Sequence, residues 1–551
     1  MSSSPSVAAA PRRDPARVMR LARLGSMHPS RLSFAPTLVR RLARDGWRVK
    51  RTAWALDDAG LGHAIYRAEG PERGYALVVL ARPDEVAFAL VDGHAGADDV
   101  ARLDAALAPA GDGRLSAREP CLIRGKVSAR RRDALVAPLA AGRQPSAATV
   151  AATGYVVRTL SVHASGKLGS TDRDAIVDRP EFAGPYQVEM LTLYLARAFS
   201  LDLVDHLAAR RAPANAATLA PGHRRGLGIG NATGPGLASF FINHPLVTDR
   251  WFALREEALA RVRALEGVSG AAQALFDARL AAARAHVAQW PSEHPLQRRK
   301  IDDLARDLDA VAAHVAGDGL SAPRPWDALW RWGETALSLE GQEMLASLVL
   351  EPHGDVVDEL APAMSVDEGE ARRLDGRMRV GELRDLLQRA YGWAFAIDFD
   401  DPDARARLWY AEATTGEARI GARADLDPAV ERPLAPARDA QALARALEAV
   451  DDAATVAEFV LRRPEQRGTV RRVQVAGRHA FAEIRDNTLD ADLVPLDLLR
   501  AKLAFIGATR FDPTSDRRLR VTLFQGAPLA DELGSADGDG WIFATPTASP
   551  A

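Results

Sequence analysis

The sequence predicts a mixed α+β protein: an N-terminal antiparallel α+β domain, a large and mostly helical middle domain, and a C-terminal α+β part. Three observations predict it. Short β-rich runs divided by turn residues lie before about residue 92, a helical period dominates from Ser146 to about Leu360, and strand and helix patterns alternate again after the charged connection Glu368 to Arg373. The expected divisions are a disordered tail at 1–16, domains at 17–143, 144–365 and 366–540, and a second tail at 541–551. With 551 residues, 47% hydrophobic and 26% charged, the chain suits two to four globular units.

In chain order, a basic helical pattern from Pro36 to Asp45 stops at Gly46. Runs at Trp47 to Leu56, Gly62 to Ala68, Tyr75 to Ala81 and Val86 to Val91 follow, with connections too short for parallel crossovers, so they predict an antiparallel meander. Asp98 is the expected N-cap of a helix from Val100 to Leu107. In the middle region, Tyr186 to Arg210 is apolar nearly all round and predicts a buried central helix. Further helices are expected over Trp251 to Ala288, over 297–316, and from Trp326 to about Leu350. The last part predicts a helix at 380–390, paired strands at Trp393 to Phe399 and Arg407 to Ala413, and a helix at Asp439 to Val450. It ends with a strand at Arg478 to Arg485, a helix at Pro495 to Phe505 and a strand at Leu519 to Phe524.

Leu42 to Ala68 and Leu386 to Ala411 share an order of helix, Gly-Trp, strand, Asp-Asp, strand. That similarity predicts two related helix-hairpin units flanking the helical middle.

The formal net charge is −2, which provides no global charge for binding nucleic acid or a membrane surface. Residues 1–51 are the exception, with twelve Lys and Arg against Asp14 and Asp45; that lead either steers an anionic partner or is a tail followed by a solvated helix face. Cys121 is the single cysteine, so no internal disulfide forms, and a reducing, cytoplasmic compartment is expected. The histidines are scattered and no metal site is expected. The residues name no cofactor.

The most distinctive stretch is Arg224-Arg225-Gly226-Leu227-Gly228-Ile229-Gly230-Asn231-Ala232-Thr233-Gly234-Pro235-Gly236, which has five glycines within eleven residues. Its spacing is not that of a dinucleotide fingerprint, and Pro221-Gly222-His223-Arg224-Arg225 before it is no buried strand. Glycine-rich backbone leading into a helix can gather N–H groups around an anion. Arg224 and Arg225 would add bidentate donors, Gly228 and Gly230 close backbone approach, and Asn231 and Thr233 neutral polar handles. The competing reading makes the glycines a packing device. His244, held extended by Pro245, is a candidate acid or base. Asp202 and His206, four apart on the central helix, are a candidate pair in which the carboxylate sets the imidazole tautomer. Structural ion pairing is the alternative for them.

Ser165 to Thr171 contains Gly-Lys but lacks the leading glycine of a phosphate loop. Trp326 and Trp330, at helical spacing, read as core or an interface anchor and not as a base-stacking platform. Two functions follow. One is a cytosolic enzyme that holds a small anionic metabolite, carboxylate or phosphate, at the glycine-rich loop; the other is a non-catalytic binding or scaffold protein whose polar clusters are interfaces. A homodimer through the helical middle is compatible with either.

Overall fold

The computed structural model describes residues 12–18, 20–108, 118–164, 187–230, 245–290, 292, 295–317, 319–364, 373–398, 400–401, 435–477, 495–515, 518–534 and 540–543. Two single helical turns at Pro15–Val18 and Leu21–Leu24 lead into α1, Phe34–Arg44. That helix ends as its sequence requires: Gly46 sits at φ +67°, its N–H donates to Ala43 O, and Trp47 N–H donates to Leu42 O. The chain then forms β1 (Arg48–Leu56), β2 (Gly62–Glu69), β3 (Gly74–Ala81) and β4 (Val86–Asp92), each antiparallel to the next, as the meander predicted. Helix α2, Ala97–Ala106, begins two residues earlier than an Asp98 cap allows: Gly96 is the N-cap, and Asp99 accepts its N–H at 3.0 Å. Asp98 and Asp99 therefore lie in the first turn, where the helix dipole favours negative charge.

The fold is α+β, and its sheet runs through every part of the chain. To the meander are added β5 (Cys121–Val127), β6 (Tyr155–Ala164), β7 (Gly228–Gly230), β8 (Ala508–Ser515) and β9 (Arg518–Leu523), in the order β1-β2-β3-β4-β5-β6-β7-β9-β8. Only the β6–β7 pairing is parallel among the described strands. The sheet thus crosses positions 143 and 365, and one continuous core extends from Val18 to Phe543. The mostly helical middle contributes two strands to this sheet, β6 and β7. Three-residue β7 is too short to show a period, and it is a strand because its two neighbours supply the partners.

Between β5 and β7 lie α3 (Ala129–Ala140), α4 (Ala147–Thr153), the central α5 (Gln187–Arg211) and short α6 (Pro221–Arg225). Leu191, Leu195, Phe199 and Val204 of α5 are fully buried, as its all-round apolar pattern requires. Phe199 packs edge-on to Phe88 of β4, so the helix lies on the sheet. On the opposite face Val78, Leu80, Ala87 and Ala89 form a separate cluster with Leu103 of α2. Covering both faces explains why β3 is apolar without alternation.

The helical layer then continues as α7 (Pro245–Arg263), α8 (Gly270–Val287), α9 (Pro295–Ala316), α10 (Pro325–Ala336), α11 (Leu339–Leu350) and α12 (Gly354–Leu360). Two expected long helices are each split. Gly267 at φ +69° and the Ser269 cap break Trp251 to Ala288, while the Ser338 hydroxyl, accepting from Gly341 N–H, starts a new helix within Trp326 to Leu350. Trp326 and Trp330 are core residues. Helices α13 (Val380–Tyr391), α14 (Ala435–Leu447), α15 (Val456–Arg462) and α16 (Arg467–Ala476) enclose a smaller core of their own around Leu383, Leu387, Leu443 and Phe459. Helix α17, Pro495–Ile506, precedes β8.

The proposed repeat is not formed. Its second copy needs a strand at Trp393 to Phe399, but Gly392–Ala394 is a 3-10 turn continuing α13. Arg407 to Ala413 and Arg478 to Arg485 lie outside the described residues.

A buried carboxylate ties the basic N-terminal segment to this helical layer. Glu343 of α11 is fully buried and accepts from Arg13 (3.2 Å), Arg23 (2.6 Å) and Arg255 of α7. Arg13 also forks onto Glu256 at 2.6 and 2.7 Å. Burial alone would raise the Glu343 pKa; the three guanidiniums overcome it and hold the carboxyl at about 2, below its ordinary 4.5. A depressed carboxylate contributes stability above its unfolded pKa and loses it as pH falls through the folded one, so the window here runs from about 4.5 to about 2. We therefore expect Glu343→Gln to cost about 3–5 kcal/mol at neutral pH. Its urea-unfolding free energy should fall less than the parent's across that acid window. Equal acid slopes in parent and variant would refute the assignment.

Candidate functional site

The glycine-rich stretch is described as far as Gly230. Asn231, Thr233 and His244 lie outside the described residues, as does Ser165 to Thr171. Within the described part, the amides point at carbonyl groups: Gly226 N–H donates to Gly222 O at 3.1 Å and Gly228 N–H to Gly154 O at 2.8 Å. Gly228 and Gly230 lie in β7, where glycine is a steric requirement. A Cβ on Gly228 would collide with the Leu523 carbonyl, and one on Gly230 would lie 2.6 Å from the Tyr155 ring. These glycines admit β9 and the Tyr155 ring to close range.

Arg224 and Arg225 are both engaged. Arg224 bridges Asp202 (2.7 Å) and Asp205, and Arg225 donates to Glu532 at 2.8 Å. Asp202 further accepts from the Tyr66 hydroxyl at 2.7 Å and from Arg51 at 3.2 Å. Burial pushes the Asp205 carboxyl up, an effect opposed by the Leu219 amide and Arg224. Asp202 and His206 do not pair. Trp54 Nε1–H lies 3.1 Å from His206 Nδ1, and Nε2 lies 2.9 Å from the Asp57 carbonyl, which makes Nδ1 the acceptor and Nε2–H the donor. Both ring nitrogens are occupied by groups from the β1–β2 hairpin. Helical spacing put His206 within reach of Asp202, but the hairpin supplied other partners.

A second polar cluster is one that sequence reading missed. His28 Nε2 is 3.1 Å from Glu340, which also meets Arg500, and the His28 ring stacks on Trp290 at 5.9 Å. Burial, then Arg500, lowers the His28 pKa, so the ring is neutral at pH 7. A carboxylate beside a neutral imidazole is the pattern of a general base. However, the adjoining cavity, about 30 Å³ and lined by residues such as Met344, Leu503 and Phe543, has room for about one water. As formed, the cluster fastens the N-terminal segment to α11 and α17 and offers no substrate volume.

The larger cavity, about 240 Å³, opens beside α1 and is lined by Thr37, Arg40, Arg41, Arg44, Asp358, Ala361 and Pro362. Helical spacing aligns Thr37, Arg40, Arg41 and Arg44 on the side facing α12. Arg40 is fixed by Asp358 at 2.9 Å and by Arg31 O at 2.8 Å; the Thr37 hydroxyl donates to Ser33 O at 2.9 Å. Arg44 lies at the exposed rim and pairs with Asp45 at 3.0 Å. Arg41 is only 7% exposed, and burial, followed by the charges of Arg44 and Arg40, lowers its pKa. Like charges at this spacing repel, so the cavity is electropositive and disfavours its own cations. The arginine spacing was visible in the basic helical pattern; the wall opposite it comes from residues more than three hundred positions away.

Among the described residues, no group of three His, Cys, Asp or Glu is placed to hold a metal ion, and no helix is long and apolar enough to cross a membrane. Compared with protein-family models, curated proteins and solved structures, the chain matches none.

If the β7 glycines serve strand packing, Gly228→Ala and Gly230→Ala should each destabilise the fold by about 1–3 kcal/mol or more, read as a lowered urea midpoint. Unchanged midpoints would return these residues to an open loop.

Proposed function

We propose that the chain binds a small anionic metabolite and that the cavity of Arg40, Arg41 and Arg44 receives it. One observation carries this reading: three guanidiniums and a single carboxylate line a 240 Å³ space. At about 30 Å³ per water, that space equals roughly eight waters, enough for a small organic anion. The anion anticipated from the glycine-rich stretch is thereby assigned to a different place, since Arg224 and Arg225 already serve Asp202, Asp205 and Glu532. A single buried cysteine supports a reducing, cytoplasmic setting.

A non-catalytic binding protein is the second reading. It is favoured by the absence of histidine among the described residues lining this cavity and by the full engagement of His206. No reaction is assigned.

Calorimetric titration of the full chain with phosphate, sulfate, succinate and acetate at constant ionic strength tests the reading. At least one anion should bind saturably, and Arg44→Gln should weaken it about ten- to a hundredfold, the loss of one charge-assisted hydrogen bond. Arg225→Ala should bind like the parent. No saturable anion, or loss on Arg225→Ala with Arg44→Gln unaffected, would overturn it.

A further inference from the structure

Where the N-terminal segment crosses the helical layer, a titratable ring and a permanent cation share one buried carboxylate. His28, Glu340 of α11 and Arg500 of α17 are each at most 4% exposed. Arg500 Nη2 holds Glu340 Oε1, which lies 3.1 Å from His28 Nε2, and the same ring nitrogen is 3.0 Å from Arg500 Nη2. A guanidinium keeps its charge, so Nε2 accepts from Arg500 only while the ring is neutral. Protonating the ring sets two adjacent cations against one carboxylate. We propose that His28 is an acid-sensitive latch: protonation of its ring opens the stretch from Gly25 to Ser33 while the surrounding fold stays closed.

Among the described residues, the groups around the ring do not relieve that conflict. Glu343, also on α11, already receives Arg13, Arg23 and Arg255. From α9, Lys300 donates to the Gly25 carbonyl at 2.8 Å, and Gln297 Oε1 is 3.5 Å from Arg500 Nη1. His286 of α8 lines the same cavity and packs edge-on to Trp290, the ring on which His28 stacks. Burial, then Arg500, lowers the His28 pKa, and Glu340 and Glu343 oppose this only in part. In an opened segment the ring returns to its ordinary 6.5. A base depressed in the closed form binds its proton better in the open one. The closed form is therefore favoured above pH 6.5 and loses stability as pH falls from 6.5 toward the depressed value.

The opening is local because both flanks stay anchored. In mild acid Glu343, held at about 2, still receives Arg13 and Arg23, and Leu38 and Leu42 keep α1 in the main core. Between these anchors Gly25 to Ser33 belongs to no helix or strand. Met27, His28 and Pro29 form one wall of the 30 Å³ cavity, and Met344, Leu503, Ile542 and Phe543 line the rest. Opening the latch therefore uncovers an apolar recess.

Hydrogen exchange of the full chain, read by mass spectrometry and corrected for the intrinsic pH dependence of amide exchange, tests the latch. Uptake of one proton at an ordinary pKa of 6.5 raises the open population by up to about tenfold between pH 7.5 and 5.5. Exchange across Gly25 to Ser33 should rise to that extent, with α5 and β3 unchanged. His28→Gln should remove the step, and His286→Gln should keep it. Arg500→Gln should shrink or reverse the step, because a protonated His28 then has Glu340 to itself; a ring that only fills space shows no such dependence. If His28→Gln fails to fold, the parent and Arg500→Gln still decide. No step in the parent, a step that survives His28→Gln or vanishes with His286→Gln, or a full step in Arg500→Gln would overturn the latch.

Discussion

The arrangement depends on one buried cation. Arg197, on the central helix α5, is 2% exposed and donates to four backbone carbonyls: Leu227 at 2.8 Å, Ala527 at 3.0 Å, Pro528 at 3.1 Å and Arg225 at 3.4 Å. Burial lowers its pKa to about 10, against the opposing charges of Tyr194 and Glu532, so it remains charged at neutral pH. A charge so deep is stable only while those carbonyls surround it. They belong to the segments flanking β7 and following β9, so solvating Arg197 inside the protein and assembling the far side of the sheet are the same event. Tyr194, one turn earlier, adds its hydroxyl to the Pro528 carbonyl at 2.9 Å.

From that constraint follows the fate of the glycine-rich stretch. With Leu227 O and Arg225 O turned toward Arg197, the chain between them and Gly230 runs beside β6 and receives β9 on its other side. Gln525 reinforces the seam by donating to Gly226 O at 3.0 Å. Amides that could have surrounded an anion are spent on neighbouring strands. The arginines before the strand point toward carboxylates of α5 and of the segment after β9. What resembled a ligand loop is, in its described part, the joint between the two halves of the sheet.

The N-terminal segment is held by the same logic with opposite charge. Arg13, Arg23 and His28 would be a liability in an apolar layer, yet Glu343, Glu256 and Glu340 lie there to meet them. Arg13 and Arg263 also lie over the Trp330 ring. Arg40, Arg41 and Arg44 come next in the same basic run; Asp358 lines their cavity and holds Arg40, and Asp45 pairs with Arg44.

The sequence by itself determined the local elements whose causes are local. The Gly46 stop, the four-strand meander, the all-apolar α5 and the buried Trp326 and Trp330 follow from period, turn residues and side-chain size, which act within a few residues. Breaks inside the long helical patterns were harder, because Gly267 and Ser338 compete with a strong apolar period and win only through cap and turn geometry. Tertiary structure alone decided the rest. Three-residue β7 has no period of its own, and its glycines acquire meaning from Leu523 and Tyr155. His206 lies one turn from Asp202 but bonds Trp54 and Asp57, and Arg40 needs Asp358 to turn a basic helix face into a cavity. Pairings across hundreds of residues depend on where desolvated charges find partners, and a one-dimensional pattern holds no such distances.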